Sequence, residues 1–549
     1  MPGPTPGFLP GAMMDYPLTL QAILERARKV FPEKEIVSRL EDGSLHRTTY
    51  GELHGRVLRL MDVLRGLGIG PGDRVGTFAW NGHRHLELYF AVPCLGAVLH
   101  TINVRLPREQ LRAIVEHADD RVIFVDRALA ATLAPRVADL PASLRYVVMD
   151  DGRAGGDQGI AGALDYETLL DGARELEELP VLDENQAAGL CYTSGTTGDP
   201  KGVLYSHRAY YLHSMGSGML DSMGVSQRET VLPVVPMFHA NAWGFPFTAA
   251  FTGAKLVFPG SHLSGEALAE LIEAERVTLA AGVPTVWNLV LRALRQRPRD
   301  VSSLHTMIVG GSAAPLALIR AWHEEFGVTI THAWGMTETT PVGCCSRLKA
   351  DTLARPLDEQ LAMRRKQGIP VPGVEVRIEG EDGAILPWDG RSIGELCVRG
   401  PWVARHYFGD DPAGPRRAVF TADGWFRTGD VVTIDPLGYI EITDRKKDLI
   451  KSRGEWISSV DLENEAMAHP GVLEAAVVGR PDDLRGEAPV LFLVPADAAR
   501  PPEPAAVVEH LARRFEKWML PRLDDVRLVE AIPKTSVGKF DKKVLRRQL

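Results

Sequence analysis

Cysteine is scarce in this 549-residue chain, which has only Cys94, Cys191, Cys344, Cys345 and Cys397. An odd number, with no CxxC pair and no cysteine–histidine cluster, excludes a disulfide framework and a structural zinc site and fits a reduced, cytoplasmic setting. Basic charge is short as well: 62 Lys and Arg against 71 Asp and Glu give a net charge of −9. Nothing there would draw nucleic acid or an anionic membrane. Long apolar runs are missing too. The longest uncharged stretch, Thr230 to Ala254, is interrupted by Pro233, Pro236, His239, Asn241 and Pro246, so buried strands and loops around a pocket are expected there rather than a membrane span. The first residues, MPGPTPGFLPGAMMDYP, hold no basic segment followed by an apolar run, and the closing LRRQL is no peroxisomal or prenylation address.

Turn chemistry is abundant, with 53 glycines and 38 prolines. At a typical domain size the length corresponds to roughly three to four domains. From Leu18 to Leu67 apolar residues recur at helical spacing, and then helix and strand alternate. LELYFAVPCLGAVLHTIN, RVIFV, TLAAGVPTV, TMIVGG and VTITHAWG are expected as buried strands between helices such as REQLRAIVEHADD. That rhythm predicts doubly wound α/β layers. From Gly368 short alternating strands with frequent glycines take over, predicting a small β-rich subdomain. After DRKKDLIK comes a near-neutral α+β segment, which reads as a separate unit. Gly152 to Ala163 has the composition of a surface loop.

The window TSGTTGDPKG, Thr193 to Gly202, follows the strand-like AAGLCY and precedes a helix predicted to be capped at Ser206. Gly195, Gly198 and Gly202 let the backbone approach a ligand, Thr193, Ser194, Thr196 and Thr197 offer hydroxyls, and Lys201 supplies a cation. Such a loop suits a polyphosphate. It is not a Walker loop, because Pro200 precedes Lys201 and Gly202 follows it. A Gly/Thr-rich surface hairpin is the alternative for this window alone.

Four more windows follow in order: HAWGMTETTP (His332 to Pro341), DGWFRTGD (Asp423 to Asp430), DRKKDLIKSRGEWISSVDLEN (Asp444 to Asn464) and PKTSVGKF (Pro533 to Phe540). Singly, each has a plain reading as a charge run, a strand-end turn or a basic tail. Together they resemble the adenylate-forming superfamily of acyl-CoA synthetases, luciferases and adenylation domains, over nearly the whole chain. The resemblance implies an α/β architecture: a large N-terminal domain, residues 1–443, of two doubly wound α/β subdomains and a small β-barrel-like subdomain, then a hinged α+β C-terminal domain, residues 444–549.

The resemblance also implies roles and ligands, namely ATP, Mg2+ and coenzyme A. Thr193, Ser194, Gly195, Thr196, Thr197, Gly198 and Lys201 would cradle the pyrophosphate. Glu338 would organise magnesium with Thr193, and Thr337 would contact the α-phosphate. Trp334 and Gly335 on one face, and Gly311, Ser312, Ala313 and Ala314 on the other, would hold adenine, although Trp334 also suits a core position. Asp430 and Arg445 would hold the ribose. Lys539 would bridge the forming acyl-phosphate, with Lys534 a neighbour only. Asp444 would be the hinge, and Lys451, Gly454 and Trp456 would serve the thiol-transfer orientation.

Amino-acid-activating relatives commonly carry an aspartate after the phenylalanine of PMFHANAW, and here His239 stands in that place. With Trp243, which resembles a gate residue and also suits plain packing, His239 implies an apolar acid. The implied activity is a medium- to long-chain fatty acid–CoA ligase. An aryl or short branched-chain acid ligase, a luciferase-like oxidoreductase and a catalytically silent scaffold are the alternatives. Relatives are often dimers and many work near membranes, but neither a homodimer nor peripheral membrane contact follows from this sequence.

Overall fold

The computed structural model describes residues 9, 11–150, 159–193, 200–410, 419–452, 455–482, 485–535 and 539–549. Local signals start most helices. Thr19 caps Leu20–Val30 by accepting from the Ala22 amide, and Thr49 and Glu52 close a capping box on Tyr50–Gly66. Ser206 caps His207–Gly218 through the Ala209 amide, as its sequence predicts. Pro284 opens Pro284–Gln296, where its missing N–H costs nothing, and Gly253 and Gly327 end their helices in left-handed conformation.

Two large sheets carry these helices. A seven-stranded sheet runs Leu164–Asp165, Arg145–Met149, Asp120–Asp126, Arg74–Phe78, Val98–Thr101, Ala187–Tyr192, Gly202–Ser206, parallel except for the last pair. A nine-stranded sheet has a parallel centre, Thr329–Gly335, Thr306–Val309, Leu279–Gly282, Thr230–Pro233, Lys255–Phe258 and Glu35–Arg39, with antiparallel strands at both edges. Helix follows strand along most of both sheets, so the strands bury both faces and read as apolar runs. Aromatic pairs such as Trp287 and Trp322, T-shaped at 6.4 Å, fill the helix–sheet layers.

Beyond them, an antiparallel five-stranded sheet includes Glu375–Glu379, Gly394–Arg399, Phe426–Ile434 and Ile440–Arg445, and it is an open path rather than a closed barrel among the described residues. Asp444 and Arg445 end its last strand. The next sheet, built on the long antiparallel pair Val472–Asp482 and Gly486–Pro495, has its own buried core around Ile450, Leu462, Val477 and Leu491.

Three sequence readings change. The region from Leu18 to Leu67 is not continuously helical, because the hairpin Glu35–Arg39/Leu45–Thr49 divides it. The stretch LELYFAVPC is helix, His83–Cys94, ahead of the strand Val98–Thr101. In Thr230 to Ala254 the second half is the buried helix Phe245–Thr252. Residues 152–158 of the expected surface loop lie outside the described residues. All five cysteines are free and buried, and among the described residues no helix is long and apolar enough to cross a membrane.

Candidate active site

The parallel strands of the nine-stranded sheet deliver the site. Their carboxyl ends lead into His239, Gly310–Gly311 and Thr337–Glu338, the edge at which open α/β sheets bind ligands. The two strands that flank the Gly/Thr-rich loop come from the other large sheet. Strands Ala187–Tyr192 and Gly202–Ser206 pair antiparallel, and the Thr193 amide donates to the Lys201 carbonyl at 2.9 Å, closing the neck of the loop. Ser194, Gly195, Thr196, Thr197 and Gly198 lie outside the described residues, as does Gly454. Thr193 itself lines a pocket together with Tyr192, Pro200, Phe238 and His239.

Glu338 and Asp430 are both buried, at 6% and 1% exposure. Asp430 is served by two donors: Trp334 Nε1 donates to Oδ2 at 2.8 Å, and Arg445, its cross-strand neighbour, pairs with Oδ1 at 2.6 Å. A carboxylate has about four lone-pair sites, so Asp430 retains room for ribose hydroxyls. Glu338 accepts one bond from a neutral donor, the Tyr407 hydroxyl at 2.7 Å, and among the described residues no basic group pairs with it. A buried carboxylate without an ion pair suits a hard cation completed by phosphate oxygens. Thr337 is held beside it, its carbonyl accepting from the Tyr205 hydroxyl at 2.7 Å.

Lys539 enters this cluster from the C-terminal unit. Its Cε stands 3.8 Å from where a Cβ on Gly311 would lie, and Gly311 itself has a left-handed φ of +81°. Burial pulls the Lys539 ammonium down to about 8, Arg445 and Lys447 push the same way, and Asp430 and Glu338 oppose them. Lys534 points elsewhere, pairing with Glu474 at 2.6 Å. Ser312 and Ala313 continue the Gly311 loop toward the surface, whereas Ala314 is buried. Trp334 is mostly buried with its ring against Gly343, where an added Cβ would come within 2.4 Å of it. Gly335 is equally confined, since a side chain there would strike the Pro341 carbonyl.

His239 and Trp243 flank a turn in which Ala240, Asn241, Ala242, Trp243 and Gly244 all have φ between 44° and 77°. The turn is pinned from beneath: Asn241 Nδ2 donates to the Tyr210 hydroxyl at 2.8 Å, and Tyr89 donates to Asn241 Oδ1 and to the Met237 carbonyl. Trp243 is thereby brought to Gly310, with Cη2 3.2 Å from an added Cβ. Burial and the nearby Lys539 charge hold His239 down to about 3, so its imidazole is neutral at pH 7.

The Asp444 carboxylate accepts from the Ser459 amide at 2.7 Å and hydroxyl at 2.5 Å, and Lys542 in turn donates to that hydroxyl at 2.5 Å. Burial raises the Asp444 carboxyl above the usual range. Lys451 and Trp456 are cross-strand partners on the hairpin Ile450–Ser452/Glu455–Ile457, the ammonium 5.0 Å from the ring, and they do not belong to the cluster around Lys539. Sequence reasoning missed Tyr407, Tyr205 and Gly343. Tyr407 stands in GPWVARHYFG, a window with no charge pattern or spacing that marks one residue.

Comparison with known proteins agrees with this geometry. The family model of the AMP-binding enzymes matches residues 24–408, and that of the AMP-binding enzyme C-terminal domain matches residues 461–539. The chain is 45% identical to the long-chain-fatty-acid–CoA ligase of Thermus thermophilus, covering 100% of this chain and 98% of the relative. It is 45% identical to the 3-methylmercaptopropionyl-CoA ligase of Ruegeria lacuscaerulensis, covering 98% of each. The medium-chain-fatty-acid–CoA ligase of Ectopseudomonas oleovorans is 42% identical, over 98% of this chain and 97% of the relative. Among solved structures, the anthranilate CoA ligase AuaEII in complex with anthranoyl-AMP superposes with a TM-score of 0.85 at 26% identity, over 97% of this chain and 98% of that one. ATP-bound MatB from Rhodopseudomonas palustris gives 0.81 at 26% identity, over 97% and 99%.

Proposed function

The chain belongs to the family of AMP-binding enzymes, which use ATP and coenzyme A, and from that premise we propose that it is a medium- to long-chain fatty acid–CoA ligase. In the first half-reaction a carboxylate oxygen attacks the α-phosphorus of ATP, the α–β bridging P–O bond breaks, and pyrophosphate leaves. In the second, the coenzyme A thiolate attacks the acyl carbon and AMP departs. A carboxylate is a poor nucleophile toward a polyanion, so charge neutralisation is the main task. The observation that carries the reading is Lys539 at the Gly311 loop, its Cε 3.8 Å from where a Cβ on Gly311 would lie, together with its electrostatic coupling to Asp430 and Glu338. Its ammonium would bridge the acyl and α-phosphate oxygens, Asp430 and Arg445 would seat the ribose, and Thr193 to Lys201 would hold the leaving pyrophosphate. Magnesium held by Glu338, with Thr193, would offset triphosphate charge. The neutral His239 and the apolar turn at Trp243 favour an uncharged acyl tail over an amino acid.

Asp444 would be the hinge between residues 1–443 and 444–549, and Lys451, Gly454 and Trp456 would face the thiol in a second orientation. Buried free cysteines favour a cytoplasmic location. A short thioether acid is the second reading, because a relative named for that substrate is as similar as the long-chain one. Incubation with ATP, Mg2+, coenzyme A and acids from C2 to C18, aromatic acids and 3-methylmercaptopropionate decides between them. Thioester formation is expected to be fastest with medium or long chains. A maximum at the thioether acid selects the second reading, and no thioester from any acid overturns both.

A further inference from the structure

We infer that Tyr407 is a positioning residue that sets the cation-binding carboxylate of Glu338 and the ammonium of Lys201 in one frame, an inference that rests on the adenylation reading above. The Tyr407 side chain is 4% exposed and uses both of its poles. Its hydroxyl donates to Glu338 Oε1 at 2.7 Å, while its ring face carries Lys201 Nζ at 5.0 Å from the centroid. Among the described residues neither Glu338 nor Lys201 enters an ion pair. A neutral phenol therefore satisfies an anion with its O–H edge and a cation with its π face, and leaves both charges available for a polyphosphate and its cation. A charged residue at 407 would neutralise one and repel the other.

The backbone around Tyr407 is fastened to the same two loops. The Ala404 amide donates to the Glu338 carbonyl at 2.8 Å, and the Phe408 amide donates to the Gly202 carbonyl at 2.8 Å. Thr340 Oγ1 donates to the Trp402 carbonyl at 2.6 Å, and the Trp402 indole returns a bond to the Val342 carbonyl at 3.0 Å. Residues 402 to 408 thus form a strap from the carboxylate loop to the phosphate hairpin, with Tyr407 as its inward tooth. With the hydroxyl on Oε1, Oε2 is the oxygen that would be left to a metal.

The test is Tyr407→Phe in the full-length protein, which removes one oxygen and keeps the ring. Binding of Mn2+·ATP without any acid, followed by the electron paramagnetic resonance of free and bound Mn2+, should weaken by about tenfold. Pyrophosphate release should need correspondingly more Mg2+ for half-maximal rate and recover at saturating metal. The double variant Glu338→Gln/Tyr407→Phe should bind Mn2+·ATP no more weakly than Glu338→Gln alone, because the hydroxyl acts through that carboxylate. Unchanged Mn2+·ATP binding in Tyr407→Phe, or losses that simply add in the double variant, overturns the role of Tyr407. If Glu338→Gln itself leaves metal binding unchanged, the adenylation reading of Glu338 falls instead, and the inference with it.

Discussion

Asp430 and Glu338 are the same kind of group in the same cleft, and the chain equips them oppositely. Asp430, on a strand of the small antiparallel sheet, has a guanidinium on one oxygen and an indole N–H on the other. Glu338, in the short turn after a strand of the nine-stranded sheet, has one phenol and no ion pair among the described residues. Burial penalises both charges, but only Asp430 is compensated by a directly bonded cation. A carboxylate so paired is a fixed template for neutral hydroxyls. One without an ion pair suits a cation. The donors around a carboxylate, rather than its burial, separate the two tasks.

Three experiments press on that contrast, in order of expected effect. The Lys539 charge interacts with both carboxylates, so Lys539→Ala should lower acid-dependent pyrophosphate release by about a thousandfold, while thioester formation from supplied acyl-adenylate is spared. Equal loss of both half-reactions would contradict a lysine that serves one orientation only. Next, Glu338→Gln should cost about a hundredfold and shift the Mg2+ requirement, whereas Asp430→Asn should raise the KM for ATP by about tenfold at an unchanged Mg2+ requirement. Parallel metal shifts in both variants would erase the distinction between them. The smallest effect is on pH. With the Lys539 ammonium as the active form and its titration drawn down to about 8 by burial, kcat/KM for the acid should be flat below that pH and fall about tenfold per unit above it. Lys539→Arg, slower overall, should lose this alkaline limb because a guanidinium stays charged.

Much of this site was legible in the sequence because its parts are local. The glycines and hydroxyls after AAGLCY suit a phosphate loop, whose residues 194–199 lie outside the described ones, Ser206 announced the next helix, and the order of five windows pointed to the family. What escaped is what depends on contacts between distant segments. Tyr407 is a lone aromatic whose partners, Glu338 and Lys201, are far away in sequence. Gly343 is required only because the Trp334 ring folds onto it. The hairpin Glu35–Thr49 was hidden within helical spacing, since short strands such as EIVSR place apolar residues where a helix could as well. The fold class followed from the alternation of strand and helix, but the open form of the small sheet depends on which edge strands pair, and that is set by tertiary register.

The backbone at Ala240–Gly244 has a consequence of its own. Five successive residues, four of them not glycine, coil against the handedness that L-amino acids impose on the rest of the chain. Each non-glycine residue there costs about 1 kcal/mol or more, a cost that the bonds Asn241 makes with Tyr210 and Tyr89 offset only in part. A turn of the ordinary hand through the same residues would be the mirror path, and it would carry the Trp243 indole away from Gly310. The placing of the Trp243 indole against Gly310 is therefore a matter of chirality, held in part by one buried amide side chain.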